Sequence, residues 1–460
     1  MAKEENKKLN KNIIYAVIWV IILIVFCFLA SSEKNLIGFQ VKKILAENGN
    51  VDAQNLLGNM YFDGDGVERN YEEALKWYSK SAEKGNSIGQ NALGIMYSNG
   101  DVVEKDYVKA FEYYKKSAEN GNASAQGNLA DVYDRGEGVK QDKKEAIKWY
   151  TKSAENGNAQ SQYFLAYKYY IGDGVEKDYT EAVKWYTKSA NQGYSDAQLN
   201  LGLSYYDGTG VTKDIDEAVK WFKKSADQGN AQAQFNLATM YYTGMFVKQD
   251  KKEAIKWYKK AAEQGFDDAQ FNMGWLYVQG IDVKQDYDEA FKLFLLLAKK
   301  NNQFGQNALG NMYRNGYGVK QNYLEALNWF RKSAEQGNSM AENNIGEMYL
   351  NGEGLEKNYN EAFKWFKQSA EHGDALGQKN LADMYYNGEG IKQNNKEAIK
   401  WYNKSAEQGN AQAQCNLGYM YESGNGVIKN KEEAIKWYKK SAEQGNEDAK
   451  KALKKIEEKL

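Results

Sequence analysis

Apolar and small residues return along this chain at two nested intervals. Over the short range they fall three and four positions apart, the spacing of one helix face. Over the long range the pattern repeats every 36 residues without an insertion. Tyr61 is followed by Tyr97, Tyr133 and so on to Tyr421, and Gly64, Ala74 and Ala82 head series of the same step, eleven members each. A tryptophan stands three residues after the first alanine in nine units, from Trp77 to Trp437. Each unit therefore resolves into two helices. In the first unit, helix A over about residues 51–63 sets Leu57, Met60 and Tyr61 on one face. Helix B sets Ala74, Trp77, Tyr78 and Ala82 at i, i+3, i+4 and i+8 as its buried stripe.

Polar residues and glycines punctuate these helices. Helix B opens at an Asp or Asn in every unit, with a Glu three residues later in ten, which predicts an N-cap with a capping box. It stops at Gly85 and its equivalents in ten units, a position suited to left-handed backbone. Position 58 and its equivalents hold only Gly or Ala, which predicts close approach of a neighbouring backbone. One helix pair cannot bury both stripes alone, so the units must stack over residues 50–446. Residues 35–49, with Ala46 and Gly49 in register with Ala82 and Gly85, read as an orphan helix B that caps the N-terminal end. Residues 447–460 read as a charged capping helix at the other end.

The segment Asn410-Ala-Gln-Ala-Gln-Cys-Asn-Leu-Gly-Tyr-Met-Tyr-Glu-Ser-Gly-Asn-Gly-Val, followed by Glu433-Ala-Ile-Lys-Trp-Tyr-Lys-Lys-Ser-Ala-Glu-Gln-Gly, resembles the Sel-one-like repeat (SLR). This is a relative of the tetratricopeptide repeat. The resemblance covers about residues 50–446 and implies an all-α fold, an α-solenoid wound as a right-handed superhelix. It also implies an adaptor role in membrane-associated complexes, secretion, signalling or host contact. Some cysteine-rich relatives carry a disulfide in each repeat. This chain lacks those cysteines, so that feature is not carried over.

Ahead of the repeats, Ile13 to Ala30 run eighteen positions without a charge. At ~1.5 Å per residue the run covers most of a ~30 Å hydrocarbon core. Lys3, Lys7, Lys8 and Lys11, against Glu4 and Glu5, favour a cytoplasmic tail over residues 1–12. Residues 13–31 then form a transmembrane anchor, and the solenoid lies on the periplasmic or extracellular side. The alternative is a signal peptide cleaved near Ala30-Ser31-Ser32, which would give a secreted protein.

Composition narrows the chemistry. Proline is absent, and the net charge of −1 leaves no global basic field for nucleic acid. His372 is the only histidine, and Cys27 and Cys415 are the only cysteines. No His-dependent triad, multi-histidine metal site or disulfide framework can be built from them, so neither metal nor cofactor is expected. An enzyme is the weakest class, although a carboxylate pair formed across neighbouring units would not show in the sequence. Loops such as Gly64-Asp65-Gly66-Val67 lack the Lys-Ser/Thr ending of a phosphate loop and read as tight turns. Lys76 and Lys80 form a basic stripe on helix B, flanked by Glu73 and Glu83, which reads as charge pairs on a solvated face.

The positions that escape the repeat carry the functional signal. Positions 55, 59 and 62 of helix A share a face. In units four to seven they hold Tyr163, Tyr167, Tyr170; Leu199, Leu203, Tyr206; Phe235, Thr239, Tyr242; and Phe271, Trp275, Val278. The units on either side are mostly polar there. Helix A lines the concave side of tetratricopeptide-like stacks, so the resemblance implies an apolar strip open to a partner. The other reading is packing between adjacent A helices. Unit seven also replaces the tryptophan by Leu293, an outward lysine by Leu296, and two glycines by Asp282 and Asn301. That marks a bend, a second contact surface or drift. The function expected is a membrane-anchored scaffold or adaptor for proteins or peptides. A cell-envelope or glycan-binding role is the alternative, since sugars stack on the same rings.

Overall fold

A computed structural model describes residues 39–458, and all regular structure among them is helical. The segments read as cytoplasmic tail and membrane anchor, residues 1–31, lie outside the described residues. No described helix is long and apolar enough to cross a membrane. The chain divides into two compact units, one ending at Asn230 and one beginning at Ala231. The first holds repeats one to five and the second repeats six to eleven, each a solenoid stack of helix pairs.

In repeat one, helix A is Val51–Asp63 and helix B is Tyr71–Glu83. Helix A ends because Gly64 turns left-handed, φ 78°, and its N–H reaches the Met60 carbonyl. The chain then returns through the loop to Asn70, whose side chain accepts from the Glu73 N–H at 3.0 Å. The reciprocal half of the predicted capping box is not made. The Asn70 N–H is taken by the Tyr61 carbonyl at 2.8 Å, a bond that recurs in all eleven repeats. With its target occupied, the Glu73 carboxylate turns outward to Lys76 at 2.9 Å. Helix B ends at left-handed Gly85, and the Asn86 N–H reaches back to the Ser81 carbonyl. Asn301 and Asp282 adopt the backbone of the glycines they replace, φ 61° and 60°. Helix B of repeat seven, Tyr287–Lys299, keeps the usual thirteen residues, so this substitution does not shift the helix boundaries.

The two helices of a repeat meet through a ring on a small residue. A Cβ on Gly58 would lie 2.5 Å from the Tyr78 ring. The small position therefore admits an aromatic ring of its own repeat, where a neighbouring backbone was expected. Ser81, also fully buried, belongs to the same seam. In eight repeats the equivalent hydroxyl donates to the carbonyl of the first residue of helix A, as Ser153 does to Ala123 at 2.6 Å. Between repeats, burial of tryptophans and alanines carries the stack. Trp149, Trp185 and Trp221 share one core with Leu129, Leu165 and Leu201. The two ends are closed by the same means. Phe39 and Ala46, in a helix over residues 39–47, pack with Leu57 and Trp77. Ala449 and Ile456 of the last helix, Glu447–Glu457, cover Tyr438.

The lysines of helix B divide into two sets. Those equivalent to Lys76 pair with the glutamate one turn earlier in nine repeats. Those equivalent to Lys80 lie 3.8–4.4 Å over the tryptophan ring in eight. The second set thus covers the indole face instead of pairing with Glu83.

A buried amide ladder ties the repeats together, and repeat nine breaks it. In seven repeats the Gln at position 54 donates its Nε2 to the last alanine carbonyl of the preceding helix B, at 2.9–3.3 Å. In five of these seven its oxygen accepts from an Asn or Gln thirty residues on, as in Gln192 to Gln162 at 2.8 Å. Repeat nine puts Glu342 in the first place and His372 in the second. The carboxylate is fully buried, 2.9 Å from His372 Nδ1 and 2.7 Å from Gln368 Nε2. Ionised, it has no proton for the Ala334 carbonyl that the glutamine would serve. Helix B of repeat eight, Tyr323–Ala334, is one residue shorter than the other B helices. Burial pushes the Glu342 carboxyl up, opposed by His372 and Gln368.

Two predictions follow from this packing. Trp185→Ala should cost about 3–5 kcal/mol, read by urea denaturation, with hydrogen-exchange protection lost first in repeats three to five. Uniform loss across both units would contradict nearest-neighbour stabilisation. The second concerns pH. A folded carboxyl whose pKa is raised contributes stability below the ordinary glutamate range and loses it as pH rises through the folded value. Glu342→Gln should therefore stabilise by on the order of 1 kcal/mol at about pH 8, and by much less near pH 4. Thermal melts at both pH values check it, and an equal gain at both would contradict the ionisation argument.

Candidate functional site

The helix A residues singled out above fall into both units, and each unit presents its own patch. In the first unit the patch lies on helix A of repeat four, Ala159–Ile171, and of repeat five, Ser195–Asp207. Tyr163 is half-buried, its ring 5.2 Å from Tyr194 and 5.9 Å from Tyr186. Tyr167 and Tyr170 are the open members, 42% and 40% exposed. Leu203 and Tyr206 are half-buried, and Leu199, 6% exposed, belongs to the packing. Between the open tyrosines and repeat five lies a recess of about 160 Å³, lined by Tyr186, Asn200, Leu203 and Asp207 among others. Lys168 stands beside it, buried, held by Asp134 at 2.6 Å and Asp173 at 2.6 Å. With that cation paired, the recess is walled by tyrosine rings, Leu203, the Asn200 amide and the hydroxyls of Ser204 and Thr209, with Asp207 as the carboxylate in its lining.

In the second unit the patch lies on helix A of repeat six, Ala231–Thr243, and of repeat seven, Asp267–Gln279. Phe235, Tyr242, Phe271 and Trp275 are all half-buried. Each leans on the aromatic ring that helix B sends to the seam. Phe235 lies 5.7 Å from Tyr258, and Trp275 lies 5.9 Å from Phe294. The Tyr242 hydroxyl donates to Asp282 at 3.3 Å, and Lys251 lies over its ring. These residues combine packing with a partly open face, so the two readings of the sequence pattern separate residue by residue.

The position-59 series has a further role that spacing alone did not reveal. Where helix B supplies Tyr, a polar side chain at 59 often receives its hydroxyl. Tyr78 donates to Asn59 at 2.7 Å, Tyr258 to Thr239 at 3.0 Å, and Tyr150 and Tyr402 donate to Asp131 and Asp383. Burial raises the Asp131 carboxyl, opposed by that Tyr150 bond. Where helix B supplies Phe, as with Phe222 and Phe294, position 59 holds Leu203 and Trp275.

A groove of about 750 Å³ lies elsewhere in the second unit, between repeats ten and eleven and the last helix. Tyr386 and Tyr419 form its aromatic walls, with Gln412, Asn416, Lys429 and Lys455 around them. Both tyrosines occupy strip positions, 62 and 59, so the register that pointed to repeats four to seven also reached this groove. Cys415 sits buried in its floor with a thiol pushed up by burial. Among the described residues no three His, Cys, Asp or Glu side chains converge as a metal site would.

Comparison with known proteins agrees with this architecture. The Sel1 repeat family model matches eleven consecutive stretches, from residues 51–86 through 411–446. The protective antigen c5321 of uropathogenic Escherichia coli, which displays an SLR fold, is 35% identical. The match covers 92% of this chain and 91% of that one, with a TM-score of 0.79. A Sel1 repeat protein from Oxalobacter formigenes is 28% identical over 68% of this chain and 93% of its own, with a TM-score of 0.51. A search of curated proteins finds no match. Eleven contiguous repeats, matched by the family model and by solved relatives, show that the chain belongs to the Sel1 repeat family.

Proposed function

We propose that this protein is a scaffold that captures extended polypeptide segments on its helix A faces, held at a membrane by its N-terminal segment with the repeats outside the cytoplasm. The observation that carries the binding reading is the pair Tyr167 and Tyr170. These large rings stand open beside a recess in an array whose equivalent positions are mostly polar or packed. Aromatic anchors beside a pocket are where interface energy concentrates. The family supports a general role in protein interaction. The anchor rests on the uncharged run Ile13–Ala30 and its flanking lysines. The relative from uropathogenic E. coli is a protective antigen, a role compatible with display outside the cell.

Tyr167→Ser with Tyr170→Ser should leave melting within ~0.5 kcal/mol per site, as surface changes do. Binding of peptides selected from a random library should nevertheless fall by more than about tenfold, since each anchor is worth ~2 kcal/mol. Asn311→Ser, in a repeat without the rings, is the matched control. Asp131 and Asp383 are unsuitable controls because they hold buried tyrosine hydroxyls. A glycan array run beside the peptide library tests the competing ligand, and glycan binding without peptide binding would replace this reading.

Topology has its own test. Protease added to intact spheroplasts should digest the repeats or release them as a soluble fragment. Full protection would overturn the orientation, and a mature chain beginning near Glu33 would show cleavage.

A further inference from the structure

The loops joining helix A to helix B change character in three consecutive repeats of the second unit. Directly after the glycine that ends helix A, six repeats carry an acid: Asp65, Asp101, Glu137, Asp173, Glu353 and Glu389. Repeats six, seven and eight carry Met245, Ile281 and Tyr317 instead. Three residues further on, these same repeats place Lys248, Lys284 and Lys320, all exposed. Lysine recurs there in Lys140 and Lys392, but beside Glu137 and Glu389. Only in repeats six to eight does an apolar residue directly after the glycine coincide with a lysine three residues on; the one acid among these tips, Asp282, is paired with Lys251.

These tips are open and held in place. Met245 is 54% exposed, Ile281 48% and Tyr317 37%. Phe246, 57% exposed, takes φ 67° at a loop position that is glycine in eight repeats. The backbone there is one that an aromatic residue adopts only under strain. The loops are pinned to the preceding repeat. Asp282 of repeat seven receives Lys251 of repeat six at 2.8 Å, and the Tyr317 ring stacks on Tyr287 of repeat seven at 4.6 Å. The apolar tips therefore advance in steps along one edge, each followed by a cation. Three exposed apolar tips, each followed by a lysine, match a flat surface that is apolar inside and anionic outside.

We propose that the loop edge of repeats six to eight docks on an anionic lipid bilayer. Met245, Phe246 and Ile281 enter the interfacial layer, Tyr317 sits at headgroup level, and the three lysines meet lipid phosphates. This does not depend on whether residues 13–31 span the membrane, because the test below reads the edge itself. An environment-sensitive dye is attached at Ile281→Cys in the full chain, with Cys27 replaced by serine and Cys415 left buried. The dye should shift to the blue with phosphatidylcholine vesicles containing phosphatidylglycerol, and much less with phosphatidylcholine alone. Each lysine adds about fivefold to partitioning at an anionic surface, so Lys248→Glu, Lys284→Glu and Lys320→Glu together should abolish the shift. Phe246→Gly installs the residue found there in eight repeats, so the melting temperature should hold or rise while the shift weakens. The same dye at Glu389→Cys, the matching loop position of repeat ten, should stay in water. No shift at position 281, or an equal shift at 389, would overturn the proposal. A shift given by polyglutamate but not by vesicles would also overturn it, and would assign the edge to an acidic polypeptide.

Discussion

The contact on which the rest of this structure depends is the aromatic ring laid against a glycine or alanine between the two helices of each repeat. It fixes how closely helix A and helix B approach, because a Cβ at Gly58, Gly94 or Gly310 would already overlap the facing ring. Helix B carries Phe in four repeats, and in each of them the facing position is glycine: Gly202, Gly274, Gly310 and Gly346. The ring also sets the chemistry of its surroundings. A buried tyrosine hydroxyl needs a partner, and the nearest candidates are on the outer face of helix A. The core thus reaches the proposed binding face and recruits Asn59, Asp131, Thr239 and Asp383 to internal bonding. A phenylalanine makes no such demand, and it leaves position 59 to an apolar ring or chain in repeats five and seven.

Much of this architecture was legible because a repeat supplies its own controls. Eleven aligned copies identified the N-caps of helix B, the terminating glycines, the buried stripe and the approximate span of both helices in a repeat, while the last helix stops at Glu457, short of the expected 460. What escaped were relations between positions that only the folded pair brings together. The capping box failed because the Tyr61 carbonyl had already taken the N–H that Glu73 was expected to reach. The ring on Gly58 and the hydroxyl on Asn59 link residues twenty and nineteen apart, spacings that helical periodicity does not flag. The amide ladder joins positions thirty apart, so only the folded pair links the change at Glu342 to the one at His372. The groove of repeats ten and eleven was missed for a simpler reason. Two tyrosines among polar neighbours do not resemble an apolar strip, and the capping helix that deepens the groove follows the last repeat.

Departures from the repeat are informative here in proportion to what the replaced residue was doing. At position 54 a glutamine serves a carbonyl on one side and an amide on the other, so a glutamate there changes the hydrogen-bond balance of a buried site. At the second loop glycine the backbone is left-handed and the following repeat's loop sits on the preceding helix B. A Cβ on Gly318 would fall 2.3 Å from the Tyr287 carbonyl oxygen. Val102, Phe246 and Asp282 hold that conformation without being glycine. Position 62 also engages its surroundings: Asp134 holds Lys168, Tyr242 donates to Asp282, and Arg314 pairs with Glu347 and Glu353.

The same accounting shows which surfaces are free to act. The outer face of helix B is rich in lysine, yet nine of those lysines pair with a glutamate one turn away and eight lie on an indole of their own helix. Exposed pairs of this kind contribute little stability, but they spread alternating charge over a face that the recurring lysines alone would make basic. An anionic ligand would find no concentrated field there. The helix A faces and the loop edges differ, since their departures from the repeat are local, aromatic or aliphatic, and confined to consecutive repeats. A solenoid changes a binding surface by altering neighbours in series, because one repeat alone presents too little area. Tyr167 and Tyr170 with Leu203 on one face, and Met245, Ile281 and Tyr317 along one edge, are runs of that kind.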